Sequence, residues 1–150
     1  MIRLLMLVLI AAGMAAFSYL AWGQTQFGGG PSSGTGYPNG SQPITASATG
    51  TTGATSVTLA AGAGVTTYIC GFTITSGGTT AALVVNATIS NAIGGTLNYS
   101  YVFVSSGQGF LGAAFPVCIP ASATNTAMVL SVPAGGAATV VALTAWGYRL

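Results

Sequence analysis

The sequence holds no aspartate, glutamate, histidine or lysine, and its only charged side chains are Arg3 and Arg149. Each absence removes a class of chemistry. General acid–base catalysis needs a group that binds and releases a proton near neutral pH, and none is present. Serine, threonine and tyrosine hydroxyls are plentiful, but a hydroxyl nucleophile needs a base to activate it. Hard cations need carboxylates, and zinc needs three or four thiolate, imidazole or carboxylate ligands. Two cysteines cannot supply them. Without a basic patch there is no electrostatic source of phosphate binding, so nucleic acid is not an expected partner. The Gly28-Gly29-Gly30 run has no strand before it and no helix after it, so it is not a phosphate loop. The expectation is a protein that is not an enzyme and uses no metal or cofactor. A surface with almost no charge also lacks the repulsion that keeps copies apart. A homo-oligomer or larger assembly is therefore expected, the plainer alternative being solubility conferred by hydroxyls and amides.

The 150 residues suffice for one domain. Residues 1–23 form an N-terminal targeting segment. Arg3 supplies a positive start, Leu4–Ile10 is a run of large apolar residues, and Ala21-Trp22-Gly23 has the form of a cleavage site. The competing reading is an uncleaved anchor, since residues 4–22 make an apolar stretch of 19 residues. Either way residues 24–150 leave the cytoplasm, for the cell surface, the medium or a virion surface. The cysteines agree: Cys70 and Cys118 are not in a redox motif and read as one disulfide in an oxidising compartment. Closing that loop constrains the unfolded chain by about 4 kcal/mol. Two unpaired buried thiols are the alternative.

Residues 24–43 are rich in glycine, serine and proline and read as a linker or an assembly arm. Phe27 and Tyr37 are its large side chains, and each suits docking against a neighbouring subunit. From residue 44 to 150, short runs of Val, Ile, Thr and Tyr alternate with Gly, Asn, Ser and Pro. Strands are expected near 44–48, 55–59, 65–75, 81–89, 96–104, 114–119, 126–132 and 138–148. Seven or eight such strands make an all-β, antiparallel β-sandwich of jelly-roll type.

Alternation assigns the faces. Tyr68, Cys70, Phe72 and Ile74 are expected inward, as are Leu83, Val85, Ala87 and Ile89. Leu97, Tyr99, Tyr101 and Phe103 share a face, opposite Asn98, Ser100, Val102 and Val104. Met128, Leu130 and Val132 lie together. The last strand is apolar on both faces, Val141 and Leu143 alternating with Ala142, Thr144, Trp146 and Tyr148. One of its faces is expected to meet the core or a second subunit, which makes Val141 and Leu143 candidate assembly contacts. Phe110 and Leu111, in an expected loop at 105–113, are candidates too. Trp146 and Tyr148 are candidates for stacking on a sugar, the competing role being core filling. Asn39, Asn86 and Asn98 each begin an Asn-x-Ser/Thr motif and are candidate N-glycosylation sites.

The runs YICGFTIT, NATISNAIGGTLNYSYVF, FPVCIPASATNTAMVLSVPAGG and ALTAWGY resemble small β-rich proteins of tailed-phage and prophage regions in alphaproteobacteria. The likeness spans about residues 50–148 and includes the segment Pro120–Ala127. It implies a β-sandwich that decorates a virion or another surface assembly, and it carries no catalytic residue. The N-terminal apolar segment departs from that group and points toward an extracellular filament, a surface layer or a capsid that assembles with a membrane. The resulting reading is a self-associating structural protein, with a secreted carbohydrate-binding or adhesion module as the alternative.

Overall fold

Eight strands emerge where β-branched and aromatic residues alternate with small polar ones: β1 (Gln42–Thr51), β2 (Thr55–Leu59), β3 (Thr67–Gly77), β4 (Leu83–Ala92), β5 (Gly95–Phe103), β6 (Gly109–Pro120), β7 (Met128–Val132) and β8 (Val140–Arg149). The structure is a computed structural model and describes residues 37–150. The expected targeting segment 1–23, Phe27 and the arm up to residue 36 lie outside the described residues. The first strand starts at Gln42, so the last two residues of the expected linker belong to β1.

The strands form two four-stranded antiparallel sheets packed as a sandwich. The first has the order β1-β8-β3-β6 and the second β2-β7-β4-β5. β1 pairs with β8, β2 with β7, β3 with β6 and β4 with β5; β3–β8 and β4–β7 contacts then join these ribbons. The core lies between the sheets. Phe72, Ile74, Val141, Leu143 and Ala145 from the first sheet meet Ile89, Tyr101, Phe103, Met128, Leu130 and Val132 from the second.

Alternation holds through most of the second sheet, but Leu83, expected inward with Val85, Ala87 and Ile89, is 43% exposed because it starts β4 at the open end of the sandwich. Met128, Leu130 and Val132 are buried, and Leu97 and Tyr99 lean on the core while Tyr101 and Phe103 are fully in it. The first sheet departs from the expected pattern at one place. Ile69 pairs with Gly147 and Gly71 with Trp146, leaving Cys70 as an extra residue. On the other side Ile69 pairs with Ile119 and Gly71 with Ala114, so four residues of β6 stand against Cys70 alone. Such a bulge reverses the facing of whatever precedes it. Ile69 therefore enters the core, and Tyr68 leaves the face it was expected to share with Phe72. A Cβ on Gly147 would overlap the Tyr68 carbonyl oxygen, so only glycine fits where the strands cross this irregularity.

Candidate functional site

Cys70 and Cys118 form a disulfide, and no free cysteine remains among the described residues. The bridge ties the two strands together at the bulge, with Cα atoms 4.2 Å apart and a sequence separation of 48. Phe115, within the bulged segment, reaches Phe72 and Tyr99, with ring centroids 6.2 and 6.5 Å away. Val117 projects the other way and is 79% exposed. The disulfide thus fixes a segment with one aromatic packed against the core and one valine in solvent.

One end of the sandwich is sealed by hydroxyls. Tyr101 Oη donates to Ser76 Oγ at 2.6 Å, both groups buried. Thr139 Oγ1 donates to the Gly135 carbonyl at 3.0 Å, and the backbone of Thr79 accepts from Ser106 N at 2.9 Å. Thr52 N donates to the Thr139 carbonyl at 2.9 Å, so four interstrand loops are tied at this end. Burial raises the pKa of the Tyr101 phenol, with the Ser76 hydrogen bond pulling the opposite way. No acid or base stands beside this network, which holds loops and has no group to move a proton near neutral pH.

Arg149 is the one charged side chain among the described residues. Its Nε donates to the Ala60 carbonyl at 2.9 Å, which fastens the β2–β3 loop. Among the described residues there is no group of three or more metal-ligating side chains, and no helix is long and apolar enough to cross a membrane.

Four expected contact residues have a different place. Val141 and Leu143 lie in the core at 1% exposure each, because the inner face of β8 packs on the second sheet. They are not surface contacts. Leu111 and Phe110 belong to β6 and not to a loop; Leu111 packs against the core, whereas Phe110 is 71% exposed. Phe110 borders a shallow depression of about 430 Å³ on the outward face of the first sheet, with Thr75, Gly77, Gln108, Val140 and Ala142. Tyr37 is partly buried at the start of the described chain.

The two candidate stacking residues also separate. Tyr148 is only 7% exposed and stacks on Tyr68, with ring centroids 4.6 Å apart and an interplanar angle of 13°. That leaves little of its ring for a ligand. Trp146 lies outside the core cluster, partly exposed, on the outward face. A Cβ on Gly71 would overlap the Trp146 benzo ring, which shows that the indole lies across the glycine of the next strand. Asn39 sits in an exposed turn closed by Ser41 N donating to the Pro38 carbonyl at 3.1 Å. Asn86 and Asn98 are exposed on the outward face of the second sheet. Asn86 pairs with Ser100 and Asn98 with Thr88, so each motif's asparagine faces the hydroxyl of the other.

Beyond that polar quartet the same face turns apolar. Val84, 66% exposed, pairs directly with Val102, and exposed Val104 comes just after the end of β5. Alternation had already placed Val102 and Val104 outward, but the meeting with Val84 depends on the β4–β5 register. Comparison with known proteins finds no matching family model, no similar curated protein and no similar solved structure.

Proposed function

We propose that this chain is a non-enzymatic structural subunit that associates with copies of itself on an extracellular or virion surface. The observation that carries the reading is the valine patch at the open edge of an uncharged sandwich. Val84, Val102 and Val104 are exposed together on the outward face of the second sheet, and β5 is that sheet's terminal strand. Contiguous exposed apolar surface marks interaction sites, and a terminal strand offers unpaired main-chain groups to another strand. The partner has to present a face without charge, because burying an unpaired charge against valines is costly. A second copy of this chain meets that condition, having one charged side chain among its described residues.

The finer fold supports the same reading. Pairing first with eighth, second with seventh, third with sixth and fourth with fifth rolls one long antiparallel hairpin into a sandwich. We assign it as a jelly roll, an architecture that serves in capsid and lectin domains alike. Fold alone does not choose between those uses. The disulfide favours an oxidising compartment and hence export. The resemblance to prophage proteins favours a virion or related surface lattice.

The test is sedimentation velocity on the full chain, on Val84→Asp/Val102→Asp, and on a chain starting at Pro38. A start at Ile44 would cut into β1. The full chain forms a defined oligomer or filament, and the aspartate pair dissociates it while leaving the fold intact. The Pro38 version reports what the arm adds. A full chain that stays monomeric at high concentration, or an assembly indifferent to the aspartates, defeats the proposal.

A further inference from the structure

The outward face of the first sheet has an organisation that self-association through the second sheet does not use. Its rows follow from the strand registers. One row runs Thr45, Trp146, Gly71, Ala114; the next runs Ser47, Thr144, Thr73, Gly112. Adjacent strands stand about 4.8 Å apart, and successive rows on one face about 6.7 Å apart. The indole of Trp146 lies over Gly71 because that position has no side chain. The indole thus covers the Gly71 backbone and remains partly exposed. One pleat away, three strands place the hydroxyls of Ser47, Thr144 and Thr73 side by side. Those three hydroxyls, and that of Thr45, have no hydrogen-bond partner among the described residues. No charged side chain stands in either row.

We propose that this face binds a neutral glycan, with one pyranose ring stacked on Trp146 and its neighbour hydrogen-bonded by Ser47, Thr144 and Thr73. The chemistry of the face selects the class. A partly exposed indole on a sheet offers apolar ring surface, and a pyranose has an apolar C–H face of matching size. A line of unpaired hydroxyls, each both donor and acceptor, suits the hydroxyls at the rim of the next sugar. A row spacing of about 6.7 Å places that line under the residue next to the stacked one. A uronate, sulfate or phosphate would call for arginine or lysine, and the face has neither. A second protein sheet would need apolar side chains where the hydroxyl row stands. The inference is independent of the assembly surface, which lies on the other sheet.

Trp22 and Trp146 are the tryptophans of the chain, so Trp22→Phe in the full-length protein leaves Trp146 as the reporter. Cellohexaose, laminarihexaose and maltohexaose are titrated while tryptophan fluorescence is read, with a hyaluronan hexasaccharide as the charged control. At least one neutral hexasaccharide shifts the emission saturably, and hyaluronan does not. Trp146→Ala, followed by calorimetry with the same sugar, lowers the affinity about tenfold or more. Thr73→Val/Thr144→Val keeps the shape of the face, lowers affinity severalfold and leaves the melting temperature nearly unchanged. That second variant keeps the test open if Trp146→Ala folds poorly. Silence with all three neutral sugars overturns the proposal, as does tighter binding of hyaluronan. Affinity unchanged in both variants overturns it too, and so does a change of oligomeric state in Thr73→Val/Thr144→Val without any loss of sugar binding.

Discussion

The two sheets have the same number of strands but reach their registers differently. In the second, β4 and β5 pair residue for residue from Leu83 to Ile89, and inward and outward side chains alternate in step. In the first, β3 and β6 lose step at Cys70, where four residues of β6 answer one of β3. Up to Ile89 the second sheet follows side-chain period, since any slip would drive Ile89 and Tyr101 into solvent, and its own bulge, between Ile89 and Ala92, is confined to the hairpin end. The first accepts its four-against-one mismatch because a covalent bridge holds it and because Phe115 packs against the core behind it. Regular alternation makes the outward face of the second sheet readable in advance. The irregular ribbon brings Trp146 over Gly71 and sends Tyr68 outward to Tyr148.

The largest expected effect separates core from surface within the first sheet. Leu143→Ala removes a buried side chain and costs about 2–5 kcal/mol in denaturant unfolding. Phe110→Ala, on the same sheet but largely exposed, changes stability by no more than about 0.5 kcal/mol. If the two losses are equal, the inner and outer faces of that sheet have been assigned wrongly.

The next effect separates the sheets themselves. Cys70→Ser/Cys118→Ser lowers stability by about 2–4 kcal/mol. Hydrogen exchange then rises first at Gly71–Ile74 and Ala113–Ile119, while Ala87, Ile89 and Tyr101 keep their protection relative to global unfolding. Uniform loss across both sheets would show that the bridge does not act through the bulge.

The smallest effect is on pH dependence, and it falls mainly on the second sheet. Burial raises the pKa of Tyr99 and Tyr101 on β5, and of Tyr148 on β8, where the neighbouring Tyr68 phenol adds to the shift. The unfolded chain gives up these protons near the ordinary value of 10.0 while the folded chain still holds them. Stability is therefore fully present below about pH 10 and falls as pH rises through the folded values. With no carboxylate or imidazole side chain in the sequence, the melting temperature stays nearly flat from about pH 3 to 8. A melting series in low-salt buffers checks both arms. A fall on the acid side would point to a contribution from the chain termini or from a bound partner.

Much of the architecture was legible in the residues. All eight strands fall close to their expected positions, because glycine- and proline-marked turns separate runs of clear two-residue period. The paired cysteines were legible from their number and context. β6 begins at Gly109, ahead of its expected start at 114, since Gly109, Gly112, Ala113 and Ala114 have weak strand preference and are held by β3 across the ladder. Thr73, Thr144 and Ser47 gave no sign of forming a row, because strand register joins residues far apart in the chain.

β8 marks the boundary between the two kinds of information. Its sequence, apolar on both sides, determined that it would be a central strand or meet something on each face. The lack of Asp, Glu, His and Lys likewise framed the expectation of a non-enzymatic role, because that expectation rests on residue type and not on position. Only the tertiary structure decided that Val141 and Leu143 face the second sheet while Trp146 spreads over Gly71 on the outside. A one-residue bulge exchanges inside for outside, and the local pattern has the same period on either side of it. The choice is made by which face finds a complementary layer to pack on, and that layer comes from strands elsewhere in the chain.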